Sequence, residues 1–213
     1  MKVEITSCVA RNSQDIAVTF KLSEGDNSCS ETFLVSHDQF VKMKLSVGES
    51  DRETYQAASE GAELHFAMKK GLASLAYGAS SKGNLAKKLE SKGVKREVAE
   101  AVCRELERKG YINDGREALR EAELAVGKLW GKRRIAAELY RKGYDEESVR
   151  NAIYSLEDSG VDFCENCAEL VRRKYGCVPE EPRERQKLYA ALTRYGYSSS
   201  DISLALETVR DES

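Results

Sequence analysis

The chain has 213 residues, 41% of them hydrophobic and 33% charged, and its formal net charge is −2. This length and apolar content favour several small buried cores over one, and the near-neutral charge excludes a uniformly basic DNA-coating protein. Six scattered cysteines, no signal peptide and no apolar run long enough to cross a membrane predict a reduced, cytoplasmic protein.

Residues 1–60 are rich in Val, Ile, Thr and Phe with partial alternation, which predicts a small β element. The predicted strands are Met1–Val9, Asp15–Leu22 and Glu31–Val35. We expect a loop at Ser23–Ser30 and a short helix at His37–Leu45, with Ser36 as its N-cap and its end near Gly48. Nothing in this segment suggests chemistry, and its predicted role is to dock on the helices or on a partner.

After residue 61 the chain repeats a pattern that ends helices: a leucine, three mostly polar residues, a glycine, then Val or Tyr. The copies are Leu89–Val94, Leu106–Tyr111, Leu139–Tyr144, Leu156–Val161 and Leu192–Tyr197. In each copy we expect the glycine to take the left-handed conformation of a Schellman turn. The apolar residue that follows should pack back on the leucine.

Three equivalent glycines, Gly93, Gly143 and Gly196, define three repeats, and each glycine joins two predicted helices. A further helix is predicted before each of these helix pairs, at roughly 62–77, 115–127 and 165–175. Apolar residues at fixed offsets from each glycine share one helix face. These predicted core positions are Leu85, Leu89, Ala99, Cys103 and Leu106; Ile135, Leu139, Val149, Ile153 and Leu156; and Leu188, Leu192, Ile202, Leu206 and Val209. The sequence therefore predicts a mainly α fold in which a small β-rich segment, 1–60, precedes three tandem three-helix repeats in an elongated, curved array. The predicted repeats are 61–113, 114–162 and 163–213.

Basic residues gather around the middle helix of each repeat, whereas the helix after each glycine is acid-rich. The candidate partner-binding residues are Lys87 and Lys88 in the first repeat, Lys128, Lys132, Arg133, Arg134, Arg141 and Lys142 in the second, and Arg183 and Arg185 in the third. A charged helix face is most often merely solvated, but three equivalent clusters would form a periodic basic stripe suited to an acidic or polyanionic partner. Trp130 opens the most basic helix, where packing between repeats is the favoured interpretation.

The motifs of the first two repeats resemble those of the RecX family of RecA regulators. They are Lys109–Asp114, Gly131–Ile135, Glu138-Leu139 and Lys142–Tyr144, and the resemblance is best over residues 81–160. It implies a non-enzymatic, monomeric protein of three-helix repeats. Such a protein would bind the RecA filament on single-stranded DNA and restrain its ATPase, strand-exchange and co-protease activities, with weak direct DNA contact left open.

Other functions were weighed against this one. Tandem helix-turn-helix units that bind DNA, or a helical-repeat adaptor for another protein, remain alternatives, although an acidic helix after the glycine disfavours insertion into the major groove. Cys164, Cys167 and Cys177 have the spacing of half a zinc knuckle, but a structural zinc needs four ligands. We therefore predict ordinary thiols, no metal, no cofactor and, without a nucleophile constellation or phosphate-binding loop, no enzyme activity.

Overall fold

An antiparallel sheet forms the N-terminal segment of the computed structural model, which describes residues 1–212. Its strands are β1 (Lys2–Ala10), β2 (Asp15–Glu24), β3 (Asn27–Ser36) and β4 (Gly48–Ser50), in the order β3-β2-β1-β4. The three predicted strands are confirmed, but the loop expected at Ser23–Ser30 is wrong. Strand pairing continues to Glu24 and Asn27 and leaves only the turn Gly25-Asp26. Most side chains here are exposed, so the buried alternation that marks a strand in sequence is missing.

A short helix, α1 (His37–Lys42), follows β3 and begins at the predicted N-cap. The Oγ atom of Ser36 accepts from the N–H of Gln39 at 3.2 Å, and Gln39 Oε1 accepts from the N–H of Ser36 at 3.0 Å. The helix ends before the expected Leu45, because Lys44 takes a left-handed φ of +53°. The unpredicted strand β4 pairs only with Val3–Ile5 of β1.

A long helix, α2 (Arg52–Ala76), packs on the sheet. It begins ahead of the predicted residue 62 because Asp51 caps it: the Asp51 carboxylate accepts from the N–H of Thr54 at 2.7 Å. Tyr55 packs against Phe20 and Phe33, with ring centres 5.5 and 5.4 Å away. The predicted boundary between residues 60 and 61 therefore falls inside this helix.

Eight further helices follow α2 within residues 1–212. They are α3 (Lys82–Glu90), α4 (Arg96–Arg108), α5 (Asp114–Val126), α6 (Lys132–Arg141), α7 (Glu146–Asp158), α8 (Phe163–Tyr175), α9 (Pro182–Arg194) and α10 (Ser199–Asp211). The glycines between α3 and α4, α6 and α7, and α9 and α10 all have φ between +84° and +95°. The N–H after each glycine donates to the carbonyl of the motif leucine, as Tyr144 does to Leu139 at 3.2 Å. The predicted Schellman turns are confirmed at these three positions.

The predicted core positions are buried, except Ile153, which is half-buried. Tyr111 departs from the pattern, since its side chain is 58% exposed and the next residue, Ile112, is buried instead. Gly110 does take a positive φ of +77°. The helix end is therefore as expected, but the predicted packing of Tyr111 on Leu106 is wrong.

The chain divides into two compact units. Unit 1 comprises Met1–Gly78 and Leu85–Leu106, and unit 2 comprises Ala79–Asn84 and the chain from Glu107 onwards. Unit 2 holds two apolar clusters, one for each of its complete repeats. Within residues 1–212, no helix has both the length and the apolar character needed to span a bilayer.

Candidate partner-binding surface

Within unit 2, the first turn of α6 docks on the glycine turn that follows α9. The N–H of Gly131 donates to the carbonyl oxygen of Tyr195 at 2.8 Å, and the N–H of Arg133 donates to that of Gly196 at 3.0 Å. These bonds satisfy N–H groups that the start of a helix leaves without an intrahelical partner. The approach is close, because a Cβ atom on Gly196 would lie 2.4 Å from the Cβ atom of Arg134.

The first turn of α3, which also belongs to unit 2, docks in the same way on the turn after α6. The Oγ atom of Ser81 donates to the carbonyl oxygen of Lys142 at 2.5 Å and accepts from the N–H of Asn84 at 3.1 Å. A Cβ atom on Gly83 would lie 2.5 Å from the carbonyl oxygen of Gly143. The same joint thus recurs from one repeat to the next.

The joint between α6 and α9 carries a row of alternating cations and aromatic rings, which we call the cation–aromatic ladder. Its members are Lys128, Trp130, Arg134, Tyr195, Lys174 and Tyr175. The guanidinium of Arg134 lies 3.9 Å from the ring centre of Trp130 and 5.3 Å from that of Tyr195. Because these rings come from different repeats, the docking of α6 on the turn after α9 assembles the ladder.

The cations of the ladder lie against aromatic rings and form no ion pairs. In the described part of the chain, no carboxylate lies within ion-pair distance of Lys128, Arg134 or Lys174, although the charge of Lys128 helps to lower the pKa of Glu138. Lys174 donates to the Tyr195 hydroxyl at 3.1 Å, and this bond raises the pKa of Lys174. A cation on a ring face keeps its charge available to an anionic partner.

The other predicted cations of α6 and its end divide into paired and exposed residues. The pairs are Lys132 with Glu157, Arg141 with Glu138 at 2.5 Å, and Lys142 with Glu121 at 2.6 Å. The Arg141 guanidinium lowers the pKa of Glu138, as expected of a bonded carboxylate. Arg133 is exposed. Lys128, Arg133 and Arg134 are therefore the predicted cations of this repeat that form no ion pair with any residue in 1–212.

The candidates from the other repeats have different surroundings. Lys87 and Lys88 are exposed on the part of α3 that belongs to unit 1. Arg183 is exposed in the first turn of α9. Arg185 donates to the carbonyl oxygens of Pro179 and Glu180 at 3.3 and 3.0 Å, and so holds the loop before α9. Neither arginine belongs to the ladder.

Lys174, Tyr175 and Tyr195 of the ladder are not among the candidate partner-binding residues predicted from the sequence. Tyr195 directly precedes Gly196, where the first two repeats have Lys92 and Lys142, so this replacement of a lysine by an aromatic residue was a usable signal. Lys174 offers no such signal, because basic residues in a last helical turn are an ordinary complement to the helix dipole.

The cysteine-rich segment is a packing feature. Cys167 is fully buried in the core of the third repeat, and burial raises its pKa to about 12. The Cys164 thiol lies 3.7 Å from an oxygen of Asp201, and Cys177 is exposed. Across residues 1–212, no group of three or more His, Cys, Asp or Glu side chains is arranged to hold a metal ion.

Sequence comparisons place this chain beside known regulatory proteins. Residues 161–206 match the family model of the third three-helix domain of RecX. Regulatory protein RecX of Xanthomonas campestris pv. campestris (strain B100) is 32% identical over 126 residues, which cover 59% of this chain and 76% of that protein. The RecX protein of Stenotrophomonas maltophilia (strain R551-3) is 31% identical with the same coverage.

Solved structures are similar as well. A crystal structure of regulatory protein RecX matches with a TM-score of 0.71 and 21% identity, over 98% of this chain and 99% of that one. RecX from Lactobacillus salivarius matches with a TM-score of 0.58 and 20% identity, over 70% of this chain and 97% of that one. The mainly α fold with a small N-terminal sheet is confirmed.

Proposed function

Because the chain belongs to the RecX family of regulatory proteins, we propose that it binds the RecA filament on single-stranded DNA and lowers its ATPase and recombinase activities. The relatives are named regulatory proteins, and this name supports a role in controlling another protein rather than a role as an enzyme. In this proposal the protein is a cytoplasmic monomer that acts in DNA repair and the SOS response by binding, without a cofactor.

The cation–aromatic ladder is the observation that carries this proposal. Three cations that form no ion pair with any residue in 1–212 alternate with aromatic rings across the joint between two repeats. Such a surface suits acidic side chains or DNA phosphates. A filament on single-stranded DNA presents both kinds of group along its length.

The proposed contacts are exposed cations of the three repeats, together with Arg134 of the ladder. Lys128, Arg133 and Lys174 contact the partner directly, and Arg134 positions the rings. Lys87, Lys88 and Arg183 add contacts from the other repeats. Lys132, Arg141 and Lys142 form ion pairs and Arg185 bonds the loop before α9, so we assign them a smaller share of the contact.

Charge reversal tests this assignment. The variant with Lys128→Glu and Arg133→Glu should bind the RecA filament about tenfold more weakly, since each exposed charge contributes up to about 1 kcal/mol and reversal adds repulsion. Affinity is measured by fluorescence anisotropy of filaments on labelled single-stranded DNA. The control, Arg150→Glu with Arg210→Glu, changes the net charge equally at exposed positions on α7 and α10. Equal affinities for the two double variants would contradict the assignment.

Duplex DNA binding by helix-turn-helix-like units is the alternative, and the salt dependence of duplex affinity tests it. A helix-turn-helix would insert the helix after the glycine turn into the major groove. In the second repeat that helix is α7, whose first turn exposes Glu146 and Glu147 beside the N-cap Asp145. These acids would repel phosphates. A steep loss of duplex affinity with rising salt, matched by no filament binding, would favour the alternative.

A further inference from the structure

Strand β3, at one edge of the N-terminal sheet, packs against α2 but lacks the features within the strand itself that usually protect an edge. Strand β3 is the outer strand of the sheet, and its register with β2 runs from Ser36 to Asn27 without a bulge. Proteins commonly protect an outer strand with a proline, a lysine, a bulge or a very short length. Strand β3 has ten residues and neither proline nor lysine, whereas the opposite outer strand, β4, has only three residues.

An open groove lies along this edge, between β3 and α2. Its volume is about 490 Å³. Its lining is Thr32, Phe33 and Leu34 from β3 and Ala62, Phe66, Lys69, Lys70 and Ala73 from α2. The α2 residues fall at helical spacing on one face, and the two alanines leave room on either side of Phe66. The groove is apolar and partly uncovered, because Leu34 is 39% and Phe66 is 46% exposed.

One cation without an ion pair among residues 1–212, Lys70, lies at the rim of the groove. The Nζ atom of Lys70 lies 5.3 Å from the ring centre of Phe66 and forms no ion pair with any residue that the structure describes. Lys69 contributes a second cation, although its Nζ atom is bonded to Asp15 at 2.5 Å. The nearest acid on β3, Glu31, accepts from the Tyr55 hydroxyl at 2.7 Å. An acidic occupant would therefore meet a cation at the rim and apolar side chains within.

We propose that the groove binds an extended acidic segment of a partner protein, which adds a strand to β3. Its backbone pairs with the open edge, a bulky apolar side chain packs against Phe66 and Leu34, and a carboxylate two residues away reaches Lys70, since alternate side chains of a strand share one face. This surface lies in unit 1 and the ladder lies in unit 2, so the inference does not depend on the proposed function.

The probe that tests this inference is a fluorescein-labelled heptapeptide of threonines, with phenylalanine at its centre and glutamate two positions to either side. Fluorescence anisotropy should show saturable binding to the full chain. Phe66→Glu should weaken binding about tenfold or more, and Lys70→Glu should weaken it about threefold, as expected for one rim charge. Val41→Glu, at an exposed apolar residue of α1, is the control and should leave binding unchanged.

Three results would overturn the proposal. The first is an equal affinity for a peptide with lysines in place of the glutamates. The second is unchanged affinity when alternate backbone amides of the peptide are methylated, which prevents strand pairing. The third is self-association in sedimentation that Phe66→Glu abolishes, which would assign the groove to a second copy of this chain.

Discussion

The backbone N–H of Arg133 donates a hydrogen bond to the carbonyl oxygen of Gly196 at 3.0 Å. This bond ties the start of α6 to the glycine turn after α9. It places the next residue, Arg134, between the rings of Trp130 and Tyr195. The geometry of the proposed surface therefore depends on a backbone joint as well as on its side chains.

The joint predicts that two similar glycines differ in their tolerance of a methyl group. Gly160 and Gly196 have φ values of +90° and +95°, but a Cβ atom meets nothing within 4 Å at Gly160 and lies 2.4 Å from Arg134 atoms at Gly196. Gly160→Ala should lower the free energy of unfolding by about 1–2 kcal/mol, because alanine disfavours the left-handed backbone conformation. Gly196→Ala should cost a further 1–3 kcal/mol or so for overpacking.

Urea unfolding of both alanine variants checks this difference. Both glycines lie in unit 2, and Trp130, the single tryptophan of the chain, reports on that unit by its fluorescence. Equal losses of stability at the two positions would show that the joint opens readily, and would contradict its proposed role in holding the ladder.

A buried hydroxyl supports the same joint. Tyr197 is fully buried and its hydroxyl donates to the carbonyl oxygen of Leu129 at 2.8 Å, next to Trp130, while burial raises the pKa of Tyr197. Tyr197→Phe should cost about 0.5–1.5 kcal/mol because the Leu129 carbonyl loses its donor. Trp130 fluorescence during urea unfolding measures the loss. Tyr154→Phe, at an exposed ring, is the control and should leave stability unchanged. Similar losses of stability for both variants would show that the Tyr197 hydrogen bond does not stabilise the joint.

The shape of the Arg134 side chain is as important as its charge. Arg134→Lys keeps the charge but removes the planar group that stacks on Trp130 at 3.9 Å. We expect the free energy of unfolding to fall by about 0.5–2 kcal/mol, the fluorescence emission of Trp130 to shift and filament binding to weaken. Arg133→Lys, at the exposed neighbouring position, should leave stability and emission unchanged. If the two lysine variants behave alike, the stack contributes nothing.

Local signals predicted the helical repeats, because a Schellman turn is determined by residues within one helical turn of its glycine. Strand β3 was partly missed, since exposed residues such as Asn27 and Ser28 carry no alternation. Whether each cation forms an ion pair was not predictable from the sequence either. Lys132 pairs with Glu157 and Lys142 with Glu121, partners on other helices that only the tertiary fold brings close. Lys174 joins the ladder for the same reason.

The sheet of unit 1 should respond to acid through one carboxylate. Hydrogen bonds from Lys69, Asn12 and His65 hold the pKa of Asp15 well below its usual range. A lowered carboxyl pKa stabilises the folded state above the ordinary value of about 4, and this contribution is lost as the pH falls from there through the folded-state pKa. Asp15→Asn should therefore lower stability at neutral pH and flatten its decline in acid.

Amide NMR signals of β1 and β2, followed through urea titrations at several pH values, provide the measurement for this carboxylate. Asp26→Asn, in the exposed turn between β2 and β3, is the matched control and should follow the parent protein. Parallel stability curves for Asp15→Asn and the parent protein at all pH values would refute the role assigned to Asp15.

The most direct test of the central claim is the ATPase rate of RecA from the same organism on single-stranded DNA. The protein is titrated from sub-stoichiometric to equimolar ratios. Regulation of the filament predicts that the rate falls as the protein is added, and that the variant with Lys128→Glu and Arg133→Glu requires higher concentrations for the same effect. An unchanged rate, together with no binding to the filament, would contradict the claim.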